Sequence, residues 1–211
     1  MSFKTLVEKI IADITPSGNK AVFIFGRMNP PTLGHEFLMS KAVEVARKEQ
    51  CECFIFASKT HDKKKNPIPY EDKLKALDAA LPKLTFVNSP EVITIFNAVK
   101  YLTDRGYKDL TLICGSDRVV SYQTVFEPYK NHEDPEKRLG YKELNVISAG
   151  ERDPDSDEVS GISGTKAREL AIAGDYDSFK SILPTGMPDS EARVLFDDIR
   201  RNSKPIKSRA S

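Results

Sequence analysis

Two short stretches hold the residue types best suited to phosphate chemistry. The first is Gly26-Arg27-Met28-Asn29-Pro30-Pro31-Thr32-Leu33-Gly34-His35. Its two prolines fix the shape of a loop, and Gly34 removes a side chain where backbone must approach something closely. His35 falls in the first turn of the helix that follows, where free N–H groups and the helix dipole favour an anion. The stretch therefore reads as a phosphate site with a histidine directed into it. A helix cap would use the same histidine, and a T-x-G-H match alone does not separate the two. The second stretch is Ile162-Ser163-Gly164-Thr165-Lys166-Ala167-Arg168. Ser163 and Thr165 stand at a helix N-terminus, where hydroxyls and N–H groups can converge on phosphate oxygens. Arg168, one turn on, can reach the same oxygens with its planar fork. A capped amphipathic helix with an exposed arginine is the competing reading.

The elements that must position these residues follow from periodicity. Lys20 to Phe25 is an apolar run of strand length, and Leu38, Ala42, Val45 and Ala46 recur after the loop at helical spacing. Further strands are expected at 51–57, 84–87, 110–114 and 144–147, and helices at 70–80, 91–104, 117–127, 164–173 and 187–200. The alternation predicts an α/β fold: a Rossmann-like, doubly wound, parallel five-stranded sheet with helices on both faces and C-terminal helices. Both motif loops then lie at the carboxyl ends of strands, where open α/β sheets bind ligands. Residues 1–19 are expected to add an amphipathic helix packed on a domain of residues 20–203, and 204–211 a flexible basic tail. The charged segment 130–140 reads as poorly ordered.

Composition narrows the classes. At 211 residues and 39% hydrophobic, the chain can bury one sizeable core. A formal net charge of +1 gives no electrostatic case for nucleic acid or a membrane surface. With no span-length apolar run and no signal-peptide pattern, a soluble, cytoplasmic protein is expected. Three cysteines, Cys51, Cys53 and Cys114, do not make a disulfide framework, and buried strand thiols are expected rather than a zinc site. The acidic run 151–158 fails the EF-hand pattern, because Glu158 stands where Gly is required and Gly164 where Glu is. A flexible lid is the reading kept for it, and no protein-ligated metal is expected.

Thr32-Leu33-Gly34-His35 resembles the first motif of the nucleotidylyltransferase superfamily, and Ile162 to Arg168 resembles its I-S-x-[ST]-x-x-R signature. Gly115-Ser116-Asp117 stands in the place of that superfamily's G-x-D element; the carboxylate can meet a ribose hydroxyl or an amide, or simply cap a helix. Gly26-Arg27 and Asn66-Pro67…Glu71-Asp72-Lys73 are similar to archaeal-type nicotinamide-nucleotide adenylyltransferases, with Lys73 in place of the usual arginine and Thr32 in place of a first histidine. The opening loop and the 151–168 region also resemble cytidylyltransferase-like proteins of tailed bacteriophages.

The resemblance, over roughly residues 20–183, implies transfer of a nucleoside monophosphate from ATP to a phosphorylated acceptor with release of pyrophosphate. CTP with a phospho-alcohol, or a non-catalytic nucleotide-binding protein of the same fold, are the alternatives. It implies catalytic roles for His35, Thr32 and Arg27. Nucleotide contacts are implied for Gly26, Arg27, Met28, Asn29, Gly34, His35, Gly115, Asp117, Ser163, Thr165 and Arg168, and an acceptor contact for Lys73. A run of lysines, Lys63 to Lys65, can neutralise triphosphate or simply be surface. Mg2+ is implied only as carried by the triphosphate. A homo-oligomer is compatible with all of this.

Overall fold

The computed structural model describes residues 18–150 and 162–203; the expected N-terminal helix, acidic lid and basic tail lie outside them. In chain order it contains β1 (Lys20–Gly26), α1 (Leu33–Glu49), β2 (Glu52–Ala57), α2 (Tyr70–Ala80), β3 (Thr85–Phe86) and α3 (Ile95–Asp104). Then follow β4 (Asp109–Cys114), α4 (Val119–Phe126), β5 (Glu143–Ser148), α5 (Gly164–Ala173), α6 (Tyr176–Ser181) and α7 (Asp189–Asn202). The strands form one sheet in the order β3-β2-β1-β4-β5, and every pairing is parallel. The sheet is therefore doubly wound, with its switch point between β1 and β4.

Strand alternation divides the core. Val22 and Ile24 of β1 pack with Met39, Ala42 and Ala46 of α1, Ala76 and Leu77 of α2, Ala167 and Ala171 of α5, and Leu195 and Ile199 of α7. Ala21 and Phe23 face the other way, onto Ala98, Val99 and Leu102 of α3 and Phe126 of α4. Because β1 is buried on both faces, it carries no polar side chain between Ala21 and Phe25.

One element is added and one expectation is corrected. Residues 176–181 form a short helix, α6, too brief to show a period in sequence. Segment 130–140 is irregular yet anchored: Leu139 N–H donates to the Tyr129 carbonyl at 2.8 Å, and Arg138 Nε to the His132 carbonyl at 2.9 Å. Its charge suggested disorder, but Leu139 is buried and seals the core beside α3. Among the described residues the three thiols are free, and burial raises the pKa of Cys51 to about 11.

Candidate active site

Where β1 ends, the chain turns over the edge of the sheet. Met28 adopts a positive φ of 47° and is fully buried. Its side chain folds back over Gly26, where a Cβ would stand 3.1 Å from the Met28 Cε. Asn29 is also buried, and its amide pairs with the main chain of Ile68: Nδ2 donates to the carbonyl at 2.9 Å, and Oδ1 accepts from the N–H at 3.1 Å. Thr32 is the N-cap of α1 in extended backbone.

His35 sits three residues into that helix, and its Nδ1 accepts from Thr32 N–H at 3.1 Å, with Thr32 Oγ1 at 2.9 Å. A backbone N–H can only donate, so Nδ1 is the bare nitrogen and the ring proton sits on Nε2. His35 thus caps the helix and also lines the adjacent pocket. Gly34 is close to the chain that precedes α5: its added Cβ would stand 3.5 Å from the Ile162 carbonyl. Beside His35, the buried Glu36 carboxylate accepts from Thr185 N–H at 2.8 Å and from its hydroxyl, and Leu33 N–H donates to the Ile182 carbonyl at 3.0 Å. The start of α1 is therefore tied to the loop after α6.

The second motif faces this loop. Ser163 is the N-cap of α5, its hydroxyl accepting from Lys166 N–H at 3.1 Å. Arg168 donates through Nη1 to the Asn29 carbonyl at 2.7 Å and through Nη2 to Thr165 Oγ1 at 3.0 Å. Burial, and then the positive charge of Arg27, push its pKa below the usual guanidinium value. Gly164 is tight against the same group: a Cβ there would lie 3.2 Å from Arg168 Nη1 and 3.6 Å from the Asn29 carbonyl.

Between the motifs lies an open pocket of about 290 Å³, lined by Arg27, Met28, Asn29, His35, Lys65, Ser163, Gly164, Thr165 and Arg168. Three cations and no carboxylate line it, so its field selects a polyanion. Lys65 arrives from the loop after β2. There the Asp62 carboxylate accepts from Lys65 N–H at 2.7 Å and Lys64 N–H at 2.8 Å, contacts that hold its carboxyl well below the usual carboxylate range. Gly164 was not among the expected contacts, and Lys65 was weighed only as one of a run that could be surface. Gly164 was inside the signature but carries no chemistry of its own, and Lys65 was indistinguishable from a solvated lysine run.

Not every expected residue lines the pocket. Gly26, Thr32 and Gly34 are not in the lining: Gly26 lies against the Met28 side chain, Thr32 holds His35 and Gly34 faces the Ile162 carbonyl. Gly115 and Asp117 lie at the end of β4, in a 3-10 turn of Ser116–Arg118, outside the pocket lining. The Asp117 carboxylate is exposed and stands 3.3 Å from Arg118 Nε, with no capping bond to the turn. Lys73, the expected acceptor contact, is fully buried, with its ammonium on the carbonyls of Arg27 (2.9 Å) and Ser58. Burial lowers its pKa from 10.5 to about 8. Among the described residues no cluster of His, Cys, Asp or Glu has a metal-binding arrangement, and no helix is long and apolar enough to cross a membrane.

A parallel sheet with a cationic, helix-capped pocket over the carboxyl end of β1 suits binding and transfer of phosphate-bearing groups. The chain belongs to the cytidylyltransferase-like family of nucleotidyltransferases, whose family model matches residues 23–170. Among solved structures it is similar to the Plasmodium falciparum nicotinic acid mononucleotide adenylyltransferase complexed with NaAD. That match has 14% identity and a TM-score of 0.53, covering 87% of this chain and 95% of that one. A bifunctional NMN adenylyltransferase/ADP ribose pyrophosphatase from Francisella tularensis, complexed with AMP and a manganese ion, matches at 14% identity and TM-score 0.51, over 88% of this chain and 52% of that chain. Thermotoga maritima TmcAL bound with alpha-thio ATP matches at 13% identity and TM-score 0.50, over 88% and 57%. At such identities the likeness is one of fold. No curated protein sequence matches the chain.

Proposed function

We propose that this nucleotidyltransferase transfers the adenylyl group of ATP to a phosphorylated acceptor, in the manner of a nicotinamide-nucleotide adenylyltransferase. The observation that carries the proposal is the seating of Arg168 on the Asn29 carbonyl at 2.7 Å, which brings two motifs 139 residues apart onto one polyanion pocket. An acceptor phosphate oxygen attacks the α-phosphorus in line. One P–O bond forms, the bond to the β-phosphate oxygen breaks, and pyrophosphate leaves. The acceptor is already an anion, so the protein supplies positioning and charge stabilisation rather than a nucleophile.

His35 suits this role because its Nε2–H is a donor fixed by the Thr32 contact. Arg168, Thr165 and Ser163 with the N-terminus of α5 would hold the β- and γ-phosphates, with Arg27 and Lys65 adding charge. Thr32 acts through His35. The pocket lining offers no carboxylate to a cation, so its donor set fits magnesium carried on the triphosphate. When bound there, magnesium neutralises phosphate charge.

The neighbours named for nicotinate and nicotinamide mononucleotides favour such an acceptor. The family's description favours a second reading, CTP with a phospho-alcohol. Pyrophosphate release, measured with ATP and with CTP against nicotinamide mononucleotide, nicotinic acid mononucleotide and a panel of phospho-alcohols, separates them. Turnover with CTP alone would replace the first reading by the second. ATP and CTP binding without pyrophosphate release across the panel would leave a binding protein.

A further inference from the structure

The stretch Asn66–Lys73 supplies no lining residue to the pocket, yet it holds the loop that does. Ser58 N–H donates to the Gly26 carbonyl at 2.8 Å, continuing the β1–β2 ladder past the end of β2. The next carbonyls, of Arg27 and of Ser58 itself, both accept from the buried ammonium of Lys73. Two residues further along the loop, the Asn29 side chain takes both the N–H and the carbonyl of Ile68. The Asn29–Ile68 pair and the Lys73 ammonium are buried, and an unpaired buried polar group costs about 1–3 kcal/mol, so each holds the loop firmly in one place. The consequence for chemistry runs through the Asn29 carbonyl, which points out of this loop and seats Arg168.

We propose that Lys73 and the Asn29 side chain are positioning residues of the phosphate site, fixing the main chain of residues 27–29 so that Arg168 is held ready for a polyphosphate. The polar atoms of both side chains are engaged by main chain. A 1 Å error in such placement is costly, because oriented contacts lose their value quickly with displacement. The proposal takes its ligand class from the functional reading above but does not require turnover.

The test is a pair of double-mutant cycles on anion binding, measured by calorimetry with inorganic tripolyphosphate and with magnesium ATP. Lys73→Met, Asn29→Ala and Arg168→Ala are each expected to weaken binding by about tenfold. When either positioning variant is combined with Arg168→Ala, the further loss should shrink to about twofold, because the contact it serves is already gone. Thermal unfolding and circular dichroism establish that each variant is folded. Should Asn29→Ala fail to fold, Lys73→Met, which keeps an apolar stem of similar length, decides the matter alone. Fully additive losses, single variants that bind like the wild type, or a wild type that binds neither anion would overturn the proposal. Coupled losses in a protein that binds ATP but releases no pyrophosphate would uphold it and remove the enzymatic reading instead.

Discussion

The two loops on either side of the switch point are built in opposite ways. The loop after β1 is tied down from several directions: by Lys73 and Ile68 from beneath, by Arg168 from α5, and by the Glu36–Thr185 contact beside α1. The loop after β4 holds Gly115, Asp117 and Arg118 in an exposed turn, with the Asp117–Arg118 pair in solvent. They are neighbours, since β1 and β4 pair side by side in the sheet. The contrast teaches that the β1 end is preorganised by its own contacts, whereas the β4 turn has few that hold it. Preorganised donors are the ones expected to act in a transition state.

The largest effect should come from the most constrained donor. His35→Ala is expected to lower kcat and kcat/KM together by about 10²–10³-fold, or roughly 3–4 kcal/mol, the value of one transition-state donor. Stability should fall by only about 1 kcal/mol, the usual cost of a lost cap, because Thr32 N–H loses its partner. Steady-state kinetics beside thermal unfolding read both. Near-normal turnover in a folded variant would erase the contrast between the two loops.

Lys73 offers a pH test of how firmly the tied loop is built. Its folded pKa, about 8, lies below the free value of 10.5. Between those values the unfolded chain binds a proton that the folded chain does not, so this group's contribution to stability rises with pH. The cost of burying the charge is fully present below pH 8 and is relieved by about pH 10.5. The stability of the wild type relative to Lys73→Met should therefore grow by about 3 kcal/mol across that window. Denaturant unfolding of both proteins at each pH measures the difference, and a flat one would mean the ammonium is not buried.

How far this was legible from sequence differs between the two ends as well. The motif stretches carried their own structural signals: an apolar strand, prolines, a Thr or Ser cap, then helical spacing. Their elements therefore fell where expected, with α5 starting and ending at the anticipated residues. What joined them was not legible. Nothing local tells that Arg168 ends on the Asn29 carbonyl, because that contact spans 139 residues. Lys73 did leave a trace: with Ala76, Leu77 and Ala80 it occupies the buried stripe of α2, and a lysine at a core position marks a buried partner. At the β4 end, by contrast, the position of Asp117 after a strand suggested a cap that the turn does not make.

Arg168→Ala should reduce triphosphate affinity by about tenfold, the loss of a charge-assisted contact. The reduction should be smaller for a nucleoside monophosphate, which lacks the outer phosphates. Calorimetry with ATP and AMP compares them. Equal losses would move Arg168 away from the β- and γ-phosphates and would weaken the claim that this end is preset for polyphosphate.

The finest comparison uses one methyl group in each region. In Gly164→Ala the new Cβ stands 3.2 Å from Arg168 Nη1 and 3.6 Å from the Asn29 carbonyl. Arg168 is held at both Nη atoms, so it cannot swing aside without losing a bond, and ATP affinity should fall by about threefold to tenfold. In Gly115→Ala the nominal clash is worse, with Asp117 Oδ1 at 2.7 Å. Yet that oxygen is the end of an exposed side chain paired with the likewise exposed Arg118, and one rotamer change clears it. Stability should therefore change by less than about 0.5 kcal/mol, as for an ordinary surface substitution, and ATP affinity should be unaltered. The closer contact is expected to give the smaller effect, because what decides the cost is whether the neighbour can give way. If Gly115→Ala proved the more damaging of the two, the β4 loop would be as rigidly built as the β1 loop, and preorganisation would not distinguish them.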